Sequence, residues 1–362
     1  MITTLALFLA GLLLMIVGAE SLVKGSSRLA AGIGISPLVI GLTVVALGTS
    51  SPELAVSIKA ALAGKADLAL GNVIGSNIFN VLFILGVSAL IVPLAVSRQL
   101  VRLDVPLMIA VSFLVLLFAL DGNLGWIDGA VLLMGLAVYI SVLVYLGRKE
   151  GLAGKDARDE ASGAETSTGT LLRNTALILG GLALLVLGSR WLVDGAVALA
   201  QYMGVSELII GLTIVAVGTS LPEVVTSIIA AIRGERDIAV GNVVGSNIFN
   251  LMAVLGVASI VAPAGIEVAP AVIRFDIPVM IAVAFACLPI FFTGGEISRQ
   301  EGAVLLGYYI AYTLYIFLAA SQHDSLTSFS SVMLYFVLPL TVLTLVIIAL
   351  RELGNRRKQP SE

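Results

Sequence analysis

Two short stretches of this chain place carboxylates, hydroxyls and a proline inside apolar surroundings: GTSSPELAVS at 48–57 and GTSLPEVVTS at 218–227. In helical geometry Thr49, Ser50 and Glu53 are spaced four and three apart and share one face, with Ala46 one turn before Thr49. Thr219, Ser220 and Glu223 repeat the arrangement after Ala216. Pro52 lacks an N–H, and its ring pushes on the carbonyl of Gly48, so the helix is expected to kink or unwind there. Unpaired backbone is tolerated in a membrane only within protein or beside a polar cavity. An ionised acid at the centre of a membrane helix costs roughly 2.5–3.5 kcal/mol. A cation would partner both the freed carbonyls and the acid.

A second pair of motifs extends the oxygen set: GNVIGSNIFN at 71–80 and GNVVGSNIFN at 241–250. Ser76, Asn77 and Asn80 match Ser246, Asn247 and Asn250. The glycines at 71, 75, 241 and 245 have the spacing of small residues that let helices approach closely. For the amides, hydrogen bonding between helices competes with ion ligation. Carboxylates, hydroxyls and amide carbonyls are hard ligands, numerous enough for the six to eight oxygens that calcium takes and equally usable by sodium. Soft metals are disfavoured. The single cysteine, Cys287, lies in an apolar run, and the single histidine, His323, lies in a short polar link.

The elements that must carry these motifs are membrane helices. The chain has 362 residues, 59% hydrophobic and only 12% charged. Eleven apolar spans are expected, near 2–23, 36–62, 67–92, 103–120, 126–147, 174–198, 206–231, 237–262, 274–292, 302–320 and 330–350. With the N-terminus outside, only Lys59, Lys65, Arg190 and Arg274 of the 20 basic residues fall on the outer side, leaving the C-terminus cytoplasmic. The mixed-charge stretch 148–173 reads as a cytoplasmic linker.

Sliding the chain by 170 residues lays 35–90 on 205–260 without a gap, and 32 of these 56 positions are identical. Five spans per unit force the second copy to enter the bilayer inverted, an arrangement typical of secondary transporters with a substrate site near the midplane. The expected architecture is all-α: a first repeat at 1–147, the linker, an inverted repeat at 174–320 and an additional helix at 330–350. Within the first helix of each repeat, Glu20 with Lys24 and Arg190 with Asp194 stand four apart and are placed to bridge.

The two motif pairs, G-T-S-x-P-E and, with its last asparagine 27 residues after the glutamate, G-N-x-x-G-S-N-I-x-N, resemble those of the calcium/cation antiporter superfamily. The nearest resemblance is to the prokaryotic sodium/calcium exchangers, over residues 1–320. That resemblance implies ten helices in two inverted five-helix repeats, with the first helix of each sliding over a four-helix core. It implies an ion cluster of the Ala46 carbonyl, Thr49, Ser50, Glu53, Ser76, Asn77 and Asn80. The second copy contributes the Ala216 carbonyl, Thr219, Ser220, Glu223, Ser246, Asn247 and Asn250. Sodium and calcium would compete there, in the plasma membrane of a prokaryote. The chain departs at Asn250, where exchangers of this kind often carry an aspartate, and in the extra helix.

The function expected is sodium/calcium antiport by alternating access, the alternative being a proton-driven calcium/cation antiporter. No cofactor is expected besides the transported ions, and the partners are calcium, sodium and the lipid bilayer, not nucleic acid. An intramembrane enzyme would need a base, nucleophile or metal triad, and the motifs assemble none. A channel would more naturally be built from subunits around an axis.

Overall fold

The computed structural model describes residues 2–158, 168–203, 216–344 and 346. The protein is an all-α integral membrane protein. Among the described residues, nine helices are long and apolar enough to cross a bilayer. They are α1 (Ile2–Ile33), α4 (Ala66–Ile91), α5 (Leu100–Ala119), α6 (Trp126–Arg158), α7 (Thr168–Tyr202), α9 (Arg236–Val261), α10 (Val272–Phe292), α11 (Arg299–Ala320) and α12 (Ser325–Thr344). A tenth crossing is broken into α2 (Pro37–Thr49) and α3 (Ser51–Leu62), bent by 45°. The span expected at 206–231 begins in 204–215, outside the described residues. Its remainder is one short helical piece, Ala216–Gly218, and the short helix α8 (Leu221–Ile232).

One expected segment gains detail and one expected pairing is corrected. The 148–173 linker is helical over 148–158 and 168–173, extending α6 and α7 beyond their apolar spans. Its alanines, lysines, arginines and glutamate favour helix once a preceding span has supplied the nucleus. Glu20 pairs with Arg233, in the turn after α8, rather than with Lys24. Nearby, the Ser27 hydroxyl donates to Glu235 at 2.5 Å, so two side-chain contacts tie α1 to this turn. No ion pair joins Arg190 to Asp194 among the described residues.

Helices α1 and α7 run antiparallel in close contact. Gly11, Gly18 and Gly25 on α1 and Gly181, Gly188 and Gly195 on α7 recur every seven residues. A Cβ added to Gly18 would lie 2.8 Å from the Gly181 carbonyl oxygen, and one added to Gly181 would lie 2.6 Å from that of Gly18. Only glycine permits this approach, the small-residue packing that membrane helices use in place of hydrophobic collapse.

The most buried helices, α4 and α9, carry the G-N-x-x-G-S-N motifs. Gly241 and Gly245 let α9 close on α2: added Cβ atoms would meet the Leu38 carbonyl oxygen at 3.0 Å and the Leu42 backbone at 2.8 Å. The positions equivalent to Leu38 and Leu42 in the second copy, 208 and 212, lie outside the described residues.

Two antiparallel ladders join the halves. β1 (Leu94–Ala95) pairs with β4 (Glu296–Ile297), and β2 (Asn123–Leu124) with β3 (Ile266–Glu267). Each links the loop after a motif helix to a loop of the other half. Helix α12 lies against α11, where the Tyr308 hydroxyl donates to Thr341 Oγ1 at 2.5 Å.

Candidate functional site

The local chain dictates the breaks. Ser36 caps α2, accepting from the Val39 N–H at 3.4 Å, with Pro37 supplying a pre-set first turn. Thirteen residues on, Ser50 leaves helical geometry at φ −78°, ψ 5°, and α3 restarts with Pro52 in its first turn. Ser220 does the same at φ −87°, ψ 5°, ahead of Pro222. Glu53 and Glu223 therefore lie in the first turn of a new helix, where the macrodipole favours a negative charge. The carbonyls that the prolines orphan do not wait for a cation, as the sequence had suggested. The Ser51 hydroxyl donates to Gly48 O at 2.7 Å, and the Ser189 hydroxyl, from α7, donates to Gly218 O at 2.8 Å.

The motif residues of both halves meet at these breaks. Ser50 Oγ donates to Glu223 Oε1 at 3.1 Å, and Ser220 Oγ donates to Glu53 Oε1 at 2.8 Å, so each serine serves the opposite glutamate. Ser220 Oγ also lies 3.0 Å from Ser76 Oγ. Asn77 and Asn247 clasp across the centre, each amide donating to the other's backbone carbonyl, at 3.3 and 3.2 Å. Their amides also contact the sulfurs of Met280 and Met108 at 3.7 and 3.6 Å. Asn80 Nδ2 donates to Asn247 Oδ1 at 3.0 Å. Interhelical hydrogen bonding thus claims part of the amide set. Asn80 and Asn250 each open a π-helical turn, Asn80–Leu85 and Asn250–Val254, a distortion frequent at functional sites.

Several oxygens remain. Glu53 Oε2, Glu223 Oε2, Asn77 Oδ1, Asn80 Oδ1, Asn250 Oδ1 and Ser246 Oγ are buried without a hydrogen-bond partner. Such atoms are costly unless something else coordinates them. Glu53 and Glu223 are both fully buried, and no lysine, arginine or histidine is buried among the described residues. Two carboxylates without a basic partner call for cations or protons. No cluster of three or more acidic, histidine or cysteine side chains occurs among the described residues, so any ion here must draw on hydroxyls and amides as well.

Of the expected residues, Ala46 is buried against α9, and its carbonyl already accepts from the Ser50 N–H at 3.0 Å. Ala216 opens the described part of the second break, and the contacts of its side chain lie outside the description. Thr49 and Thr219 each donate to an asparagine, Asn242 Oδ1 at 3.0 Å and Asn72 Oδ1 at 3.2 Å. Sequence reasoning missed those two asparagines, although each stands four residues before a motif serine. It missed Ser57 and Ser227 too, the last letters of the two opening stretches, which accept from Asn72 and Asn242 at 2.9 Å. Thr226, buried with its hydroxyl unpartnered, is matched by Val56 in the first copy, so the repeat offered no signal for it.

Comparison with known proteins agrees with the resemblance. The family described as sodium/calcium exchanger protein matches residues 3–145 and 173–318. The inner membrane protein YrbG of Escherichia coli is 38% identical over 313 residues, covering 86% of this chain and 96% of that protein. The sodium/calcium exchanger MaX1 of Methanosarcina acetivorans is 34% identical over 343 residues, covering 86% and 97%. Among solved structures, the sodium-calcium exchanger NCX_Mj soaked with sodium and calcium superposes with a TM-score of 0.73 at 31% identity, covering 86% of this chain and 97% of that one.

Proposed function

The chain belongs to the sodium/calcium exchanger protein family, and from that premise we propose that it is a secondary antiporter exchanging sodium for calcium by alternating access. The site proposed is the buried cluster around Glu53 and Glu223, with Thr49, Ser50, Ser76, Asn77 and Asn80 and their second-copy equivalents. The observation that carries this reading is the set of six buried, unpartnered oxygens drawn from both halves around two carboxylates. Their number falls within what calcium takes, and their chemistry suits sodium as well.

The charge arithmetic supports exchange. Two carboxylates balance one calcium or two sodium ions, so either cargo neutralises a site that has no basic side chain of its own. Alternating access needs the cluster open to one side at a time. The α1–α7 pair, packed glycine to glycine and outside the two β-ladders, is the element proposed to move over the rest. The protein performs no chemical transformation in this reading, and its ions are cargo. The plasma membrane is the proposed location, in keeping with the inner-membrane description of YrbG. The distribution of basic residues supports an orientation with the N-terminus outside and the C-terminus in the cytoplasm.

The test is radiolabelled calcium uptake into proteoliposomes loaded with sodium, with potassium, or with a pH gradient. Uptake that follows sodium supports exchange. Uptake driven by the pH gradient alone would instead favour the proton-coupled alternative, since each carboxylate keeps one oxygen free to carry a proton.

A further inference from the structure

We propose that Asn72 and Asn242 are positioning residues that hold the threonine hydroxyls ready for a cation and tie each half of the cluster to the other. This rests on the ion-binding reading of the site above. Each asparagine reaches across the molecule with its oxygen and back into its own half with its nitrogen. Asn72 Oδ1 accepts from Thr219 at 3.2 Å, while its Nδ2 donates to the Glu53 carbonyl at 3.1 Å and to Ser57 Oγ at 2.9 Å. Asn242 Oδ1 accepts from Thr49 at 3.0 Å, and its Nδ2 donates to the Glu223 carbonyl at 3.5 Å and to Ser227 Oγ at 2.9 Å. The orientation of each amide is determined by its neighbours. Turned over, its oxygen would face a backbone carbonyl, which has no proton to give.

The consequence is electronic as well as mechanical. A hydroxyl ligates a cation through a lone pair and must send its proton elsewhere. The asparagine oxygen accepts the hydrogen bond from that hydroxyl, which turns the threonine lone pairs away from the asparagine and leaves them free. The nitrogen of the same asparagine grips the backbone of the glutamate one turn from the break. A cation binding at one threonine is thereby felt at the glutamate of the other half. Neither asparagine needs to touch an ion to do this.

The prediction is a specific pattern of coupling. In purified protein, calcium binding and its displacement by sodium are measured by equilibrium dialysis with radiolabelled calcium. Asn72→Ala and Thr219→Val should each raise the sodium needed for half displacement by about five- to tenfold, the loss of roughly one buried hydrogen bond. Sodium should be affected more than calcium, because a monovalent ion depends more on neutral oxygens. The double variant N72A/T219V should be no worse than the worse single one. N72A/T49V, which damages both brackets, should show the two factors multiplied. Thr219→Ser, which keeps the hydroxyl, should restore wild-type displacement.

Multiplying factors in N72A/T219V would overturn the proposal, as would wild-type behaviour of T219V. Failure of the Asn72 variants to insert would make that residue a folding determinant and would overturn it too. Binding is read independently of flux. A wild-type protein that binds calcium competitively with sodium but does not exchange them would refute the transport reading and leave the bracket to be judged by its own cycle.

Discussion

Ser220 Oγ donates to Glu53 Oε1 at 2.8 Å, joining residues 167 positions apart in the chain. The reciprocal bond from Ser50 to Glu223 makes the two breaks interlock, so neither half holds a complete set of partners alone. Each glutamate keeps one buried oxygen without a partner and has no basic side chain buried beside it, which suits it to a cation.

Glu53→Gln and Glu223→Gln should therefore each abolish calcium uptake while the protein still inserts and purifies. An ion pair at about 4 Å and an effective dielectric constant near 20 is worth roughly 4 kcal/mol, so losing either acid should weaken calcium by about 100-fold or more. Uptake by either variant at a near-normal rate would remove that residue from the site.

Asn250 has neither its oxygen nor its nitrogen partnered, although it is fully buried. Asn250→Asp would add a third acid to a cluster whose two carboxylates, in the proposed reading, two sodium ions would balance. The sodium dependence of exchange should steepen, with the Hill coefficient rising by about one as a further monovalent ion is needed for neutrality. An unchanged sodium dependence would mean that position 250 does not face the ions.

The glycine contact between α1 and α7 leads to a stability prediction. Gly18→Ala should lower the thermal midpoint in detergent, because its Cβ would meet the Gly181 carbonyl oxygen at 2.8 Å and force the helices apart. Overpacking of this kind costs about 1–3 kcal/mol. Gly180, whose Cβ would meet nothing within 4 Å, is the matched control, and Gly180→Ala should leave the midpoint unchanged or slightly raised.

Orientation is tested by a single cysteine placed in the 148–173 segment of a Cys287→Ser background. It should react with a membrane-impermeant reagent only from the cytoplasmic side. Labelling of intact cells from outside would invert the topology that the basic residues suggest.

Much of the candidate site was legible because it is written twice. Matching 35–90 to 205–260 singles out Thr49, Ser50 and Glu53 with their copies, and the proline explains the break between Thr49 and Ser51. What could not be read is which partner each polar atom takes across the fold. The carbonyls of Gly48 and Gly218 looked available, yet Ser51 and Ser189 claim them, and Ser189 comes from a helix whose packing no local pattern specifies. Asn72 and Asn242 lie on the stripe of Ser76 with Asn80 and of Ser246 with Asn250. Their importance emerges only when Thr219 and Thr49 arrive from the opposite half. The seven-residue glycine rows of α1 and α7 lie outside the aligned segment, and their meaning depends on those two helices being neighbours.

The central claim, that a sodium gradient drives calcium through this cluster, is tested most directly by initial calcium uptake into wild-type proteoliposomes. Membrane potential and pH are clamped, and the vesicles are loaded with sodium or with potassium. The account predicts rapid uptake with sodium inside, background uptake with potassium, and none with Glu53→Gln under either condition. Equal uptake from sodium-loaded and potassium-loaded vesicles would contradict it.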